Sequence, residues 1–261
     1  MLVCPIGSCD TALSISEMRA VLTFHSVDDK DGVLSCKIDT FRQILETLKL
    51  KGIPVLTLDE LLTTDVQKGV AITFDDGMRS VYLNALPLLR EYQVPSHLFL
   101  TTALLDSEDY WPDSEQGVGS YRMLCRAQIA ELAASGCQIE SHTHTHPDLA
   151  KAAVELLHEE CEKADLIIES LTGRKPSYFA YPFGRHRQET RSYVRDRYRG
   201  ALSTELAYLG HHQMWTVPRI DSYYLESGFV RGNLDSVTVR TYMKLRSLAR
   251  TAVGSHTLPN A

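Results

Sequence analysis

The alternation of short strand-like runs with helix-like segments constrains this chain more than any other feature. Residues 21–25, 70–74, 96–101, 138–142, 178–181 and 201–204 are apolar and rich in β-branched or aromatic side chains, which marks six candidate strands. Segments 41–50, 79–92, 126–135, 151–171 and 188–198 carry apolar residues at helical spacing, as Phe41, Ile44, Leu45 and Leu48 do. Gly136 and Gly173 stand where helix ends are expected. Such repetition packs as βα units around a largely parallel sheet, because parallel neighbours need a crossover long enough to hold a helix. With no internal repeat and no linker-like shift of composition, one domain over residues 21–253 is expected. It would follow an N-terminal extension (1–20) and end in a flexible tail (254–261). The polar segment 106–120 reads as a surface loop, with Tyr110 and Trp111 suited to stacking on sugar rings if it borders a ligand site.

Composition narrows the functional classes. At 44% hydrophobic and 23% charged residues, the 261-residue chain can bury a large core and is neither disordered, fibrous nor membrane-spanning. Its formal net charge of -6 and the lack of a long basic cluster argue against a nucleic-acid partner. The arginine-rich stretch 185–199 is interleaved with Glu189 and Asp196 and reads as a solvated helix face. Six scattered cysteines form no CxxC pair, so they read as free thiols. Residues 1–20 show no basic leader followed by an apolar stretch, which points to the cytoplasm, or to secretion or the periplasm only if a leader has been lost. Nothing specifies an oligomeric state.

Two segments carry chemistry. In Thr73-Phe74-Asp75-Asp76-Gly77, adjacent carboxylates end an apolar run with a glycine behind them, at the mouth of a sheet where α/β active sites form; Asp-Asp-Gly is also a common surface turn. In Ser141-His142-Thr143-His144-Thr145-His146-Pro147, three imidazoles fall within five residues, which packing rarely requires and metal binding explains. Thr143, Thr145 and the restriction that Pro147 places on His146 disfavour a helix. A fully extended segment would set all three histidines on one face; a curled one would let the first and last converge while His144 points elsewhere. A carboxylate and two imidazoles make the ligand set of a hydrolytic zinc site, and a second carboxylate could take the proton of its water.

The order TFDDG, His-Thr-x-Thr-His-Pro, Tyr-Pro-Phe-Gly resembles the NodB-type polysaccharide deacetylases (carbohydrate esterase family 4), over about residues 21–221. The resemblance implies that family's distorted (β/α) barrel and a carbohydrate substrate. It makes Asp75 the general base, and Asp76, His142 and His146 the ligands of one divalent cation, zinc with nickel or cobalt as alternatives. His144 falls at a variable position and reads as a wall of the site. The backbone N–H of Phe183 matches the family position that helps bind the oxyanion, and Tyr181 and Trp111 are taken as substrate neighbours.

Two departures from the family pattern need replacements. Many members read Phe-Arg-x-Pro-Tyr-Gly, and here Ala180 stands where the arginine steadies the catalytic aspartate; Arg219, in Val217-Pro218-Arg219-Ile220-Asp221, is the candidate substitute. A late Leu-x-x-His motif supplying the general acid is also missing. Leu22-Thr23-Phe24-His25-Ser26-Val27 resembles the N-terminal segment of the poly-N-acetylglucosamine deacetylase branch, which makes His25 the candidate acid for the leaving amine. His97 and His158 read as core or solvent residues. The rival readings are a deacetylase of a small N-acyl compound or lipid-linked sugar, and a non-catalytic carbohydrate-binding relative.

Overall fold

Every one of the six apolar runs forms a strand, and their alternation places one set of side chains inside a curled sheet and the other beneath helices. The computed structural model describes residues 18–107, 121–210 and 214–252. The chain opens with β1 (Met18–Phe24) and two short strands, β2 (Ser26–Val27) and β3 (Ser35–Cys36), then α1 (Ile38–Leu50) and α2 (Leu58–Thr63). After β4 (Lys68–Asp76), a π-helical turn at Val81–Ala85 runs into α3 (Leu86–Tyr92) and β5 (Ser96–Leu100). Next come α4 (Arg126–Ala134), β6 (Cys137–Ser141), α5 (Val154–Thr172), β7 (Tyr178–Ala180), α6 (Gln188–Arg197) and β8 (Gly200–Leu202). The chain ends in β9 (Ile220–Asp221), α7 (Ser222–Leu225), α8 (Gly228–Gly232) and α9 (Val237–Ala252).

Seven parallel strands form one sheet in the order β8-β7-β6-β5-β4-β1-β9. Its edges are joined by one short segment: Val217 bridges to Leu202 of β8, and three residues later Ile220 pairs with Leu22 of β1. That irregular closure makes the sheet a distorted barrel. Inside it, Val21, Ala71, Phe99, Tyr178, Ala180, Leu202 and Val217 form one cluster. Leu58, Leu61 and Leu62 of α2 join that cluster. On the opposite faces, Leu22, Phe24, Ile72, Phe74, Leu98 and Ile139 pack beneath the helices with Phe41, Ile44, Leu89 and Leu132. Each such buried side chain contributes roughly 1.5–3 kcal/mol.

Three differences from the sequence expectation have local causes. The first strand begins at Met18 rather than 21, because residues 18–20 pair with Lys68, Gly69 and Val70, a partner invisible in their own pattern. The helix expected over 79–92 carries a π turn over Val81–Ala85, since Pro87 has no N–H to donate to Leu83 and its ring crowds that carbonyl. Helix α2 is too short to show periodicity; the reciprocal bonds of Thr57 and Glu60 start it. Cys36, Cys125, Cys137 and Cys161 are free thiols. Among the described residues, no helix is long and apolar enough to cross a membrane.

Candidate active site

Consecutive residues of a strand point to opposite faces, so two adjacent aspartates should not reach one site. Ala71, Thr73 and Asp75 share the inner face of β4, whereas Val70, Ile72 and Phe74 pack outside. Asp76 escapes the alternation because its backbone is left-handed (φ 74°). Its carboxylate Oδ1 then lies 3.5 Å from His142 Nε2 and 3.7 Å from His146 Nε2.

The histidine segment curls. Thr143 (φ 67°) and His146 (φ 62°) are left-handed, so the bias that Pro147 imposes towards extended backbone at His146 is overridden. The Thr143 hydroxyl accepts the His146 N–H (3.1 Å), and the His144 carbonyl accepts the Ala103 N–H (2.8 Å). His142 and His146 converge with ring centroids 4.8 Å apart. His144 turns away to Thr102, its Nδ1 2.8 Å from that hydroxyl. Asp76, Thr143, His146 and Phe183 (φ 57°) are four of the six non-glycine residues with positive φ among those described. Such residues cost roughly 1–3 kcal/mol each and collect at functional sites.

Asp76, His142 and His146 are buried, and their ligand atoms all lie within 4.8 Å of one another. The donors fit a divalent cation. A tetrahedral site with bonds of about 2.0–2.2 Å sets neighbouring ligand atoms about 3.3–3.6 Å apart, close to the two separations at Asp76. His142 Nδ1 lies 2.8 Å from the Ala180 carbonyl, which can only accept, so Nδ1 carries a hydrogen and Nε2 is the nitrogen turned to Asp76 and the cation site. Burial pulls the His142 pKa down, but the bond to Asp76 and the charges of both aspartates raise it overall. Burial and the charge of His142 press His146 down to about 3, which leaves it neutral.

Asp75 meets a different partner. Arg219 Nη1 lies 2.8 Å from each Asp75 oxygen, and Arg219 Nε donates to the Ser203 carbonyl at 2.8 Å. Burial alone would raise Asp75, and the charge of Arg219, helped by His142 and His25, more than offsets it, so the carboxyl sits below its ordinary value. The guanidinium thus arrives from the closing segment 217–221, while Ala180 lends only its carbonyl and a methyl in the inner cluster.

His25 is the half-buried residue after β1. Its charge is felt at Asp75, His146 and Asp221, and among the described residues its buried Nδ1 has no hydrogen-bond partner. Asp221 had no signal of its own in the sequence; burial raises its pKa and His25 draws it back. Phe183 sets its ring 4.5 Å from that of His146, edge to face. Tyr181 is a correction. Its side chain is fully buried on the outer side of the barrel, ring against Phe179 and hydroxyl on the Trp215 carbonyl (3.0 Å), and it offers a substrate no surface. Trp111 lies outside the described residues. Below the site, the Leu58 N–H donates to His97 Nε2 (2.9 Å), which leaves the hydrogen on Nδ1, 3.3 Å from Glu140. His97 is therefore a core residue.

A family model described as polysaccharide deacetylase matches residues 63–197, just over half of the 261-residue chain. YxkH of Bacillus subtilis (strain 168) is 27% identical over 176 residues, 65% of this chain and 58% of YxkH. A poly-beta-1,6-N-acetyl-D-glucosamine N-deacetylase of Staphylococcus aureus (strain MRSA252) is 24% identical over 158 residues, 55% of this chain and 52% of that protein. The chain thus spans little more than half the length of these curated relatives. Among solved structures, the Streptococcus pyogenes deacetylase PplD in complex with acetate matches with a TM-score of 0.68 at 23% identity, over 78% of this chain and 92% of PplD. That likeness is one of fold.

Proposed function

The chain belongs to the polysaccharide deacetylase family, and from that premise we propose that it hydrolyses N-acetyl groups of an N-acetylglucosamine-containing polysaccharide, with a divalent metal and release of acetate. The observation that carries the reading is the convergence of Asp76, His142 and His146 beside an Asp75 that Arg219 keeps ionised. The relative named as a poly-beta-1,6-N-acetyl-D-glucosamine N-deacetylase supports the substrate class.

In this reading Asp76, His142 and His146 hold zinc, with nickel or cobalt as alternatives. Bound there, the ion supplies Lewis acidity that acidifies water and polarises an acetamide carbonyl. Asp75 accepts the proton of the attacking water on a carboxylate oxygen, which its ionised state leaves open. Arg219 orients that carboxylate through Nη1 and is itself fixed at Nε by Ser203. The Phe183 N–H donates to the developing oxyanion. His25, the half-buried residue after β1, delivers a proton to the amine as acetate leaves.

Acetate release from poly-β-1,6-N-acetylglucosamine and from acetylated chito-oligomers tests the proposal. Release that needs added metal and is lost in Asp75→Asn is the expected result. No release from any of these substrates with metal present, or undiminished release by Asp75→Asn, refutes it.

A further inference from the structure

We propose that Glu160 is the positioning residue of the histidine loop: reaching from α5, its carboxylate holds residues 143–146 in the curl that aims His142 and His146 at one cation. The inference rests on the metal-hydrolase reading above.

Glu160 Oε2 accepts two consecutive backbone N–H groups, from His144 (2.8 Å) and Thr145 (2.6 Å). Oε1 accepts the Thr145 hydroxyl at 2.6 Å. In an extended chain successive N–H groups point to opposite sides, so one oxygen cannot take both. They converge here on one oxygen, directly after the left-handed Thr143, so the loop offers a small backbone nest for an anion. Forming that nest and bringing the two histidines together are one conformational event.

Burial singles this residue out. Glu159 and Glu162 of the same helix face solvent, whereas Glu160 is only 4% exposed. A carboxylate is kept in such a place when hydrogen bonds offset its lost hydration, and three do so here. The far side of the loop is held independently, through the Ala103 N–H on the His144 carbonyl and the Thr102–His144 side-chain bond. Removing Glu160 therefore frees one face of the loop and leaves the ligands themselves untouched.

The test is Zn(II) affinity of the full chain by competition with a chromophoric chelator, with the Co(II) absorption spectrum as a second readout of ligand geometry. Residues that orient ligands typically contribute 10–100-fold in affinity, so Glu160→Ala should bind Zn(II) about 10–100 times more weakly and give an altered Co(II) spectrum. Glu160→Gln should stay within about threefold of the parent, because its amide oxygen can accept both N–H groups while its NH2 donates to the threonine hydroxyl. Parent-like affinity and spectrum in Glu160→Ala overturn the proposal and leave the functional reading intact. A parent that binds no metal overturns both. Should Glu160→Ala fail to fold, amide exchange on the parent decides: His144 and Thr145 amides are expected to exchange at least about 100-fold more slowly than in an open chain, and exchange at the open-chain rate overturns the clamp.

Discussion

Replacing Arg219 by methionine keeps most of its volume and removes the charge that faces Asp75. Arg219 Nη1 is 2.8 Å from each Asp75 oxygen, and both side chains are almost fully buried. Charges centred about 4 Å apart at an effective dielectric near 20 interact by about 4 kcal/mol. Breaking a buried pair from one side costs about 3–5 kcal/mol, and since His142 and His25 still attract the carboxylate, we expect about 3 kcal/mol near pH 7. Urea denaturation of the metal-free protein measures it.

The loss should depend on pH with a definite sign. In the parent, Asp75 is held below its ordinary value, so its contribution is complete above about pH 4 and fades as pH falls through the depressed value. In Arg219→Met, burial, the largest single influence already in the parent, loses its main opposing charge and carries the carboxyl upward. The penalty should then shrink between pH 7 and 5, because a protonated Asp75 needs no partner. Asp75→Asn in the Arg219→Met background should recover most of the loss, giving a coupling above about 2 kcal/mol in a double-mutant cycle. Effects that add within about 0.5 kcal/mol, with no pH dependence of the penalty, would refute the reasoning.

Gly184→Ala should destabilise by more than about 2 kcal/mol in the same assay, because the residue is left-handed (φ 67°) and an added Cβ would lie 2.7 Å from Thr204 Cβ and Cγ2; a loss under about 0.5 kcal/mol would contradict the packing described. Zn(II) at about one hundred times its dissociation constant should stabilise the parent by about 2.7 kcal/mol in thermal or urea unfolding, and His142→Ala should abolish that increment. An equal increment in His142→Ala would place the cation elsewhere.

The strands, most of the helices and the two chemical motifs were legible in the sequence because their signals are local. An apolar run needs a buried strand whatever it pairs with, and three histidines in five residues need a reason wherever the chain goes. Ambiguity began where local rules compete. Pro147 favoured extended backbone at His146, and only the tertiary packing of the loop against the 102–104 turn and α5 forces the left-handed curl. Asp75 and Asp76 were visible as a pair, yet strand alternation gave no account of how both could face one site. Tyr181 was misplaced for the converse reason, since its motif neighbours border the site while alternation carries its ring outward.

Composition and periodicity by themselves determined a parallel βα architecture, and the motif order determined the family to look for. Tertiary structure alone set the candidate Arg219 against Asp75, buried one acid among the glutamates of α5, and brought together the two histidines that the resemblance had named. Those are questions of convergence between segments far apart in the chain: Arg219 and Asp75 are 144 residues apart, and their contact exists only because segment 217–221 closes the barrel. A residue's type records what it can do, and its partner is set by the sum of packing that no neighbouring residue encodes.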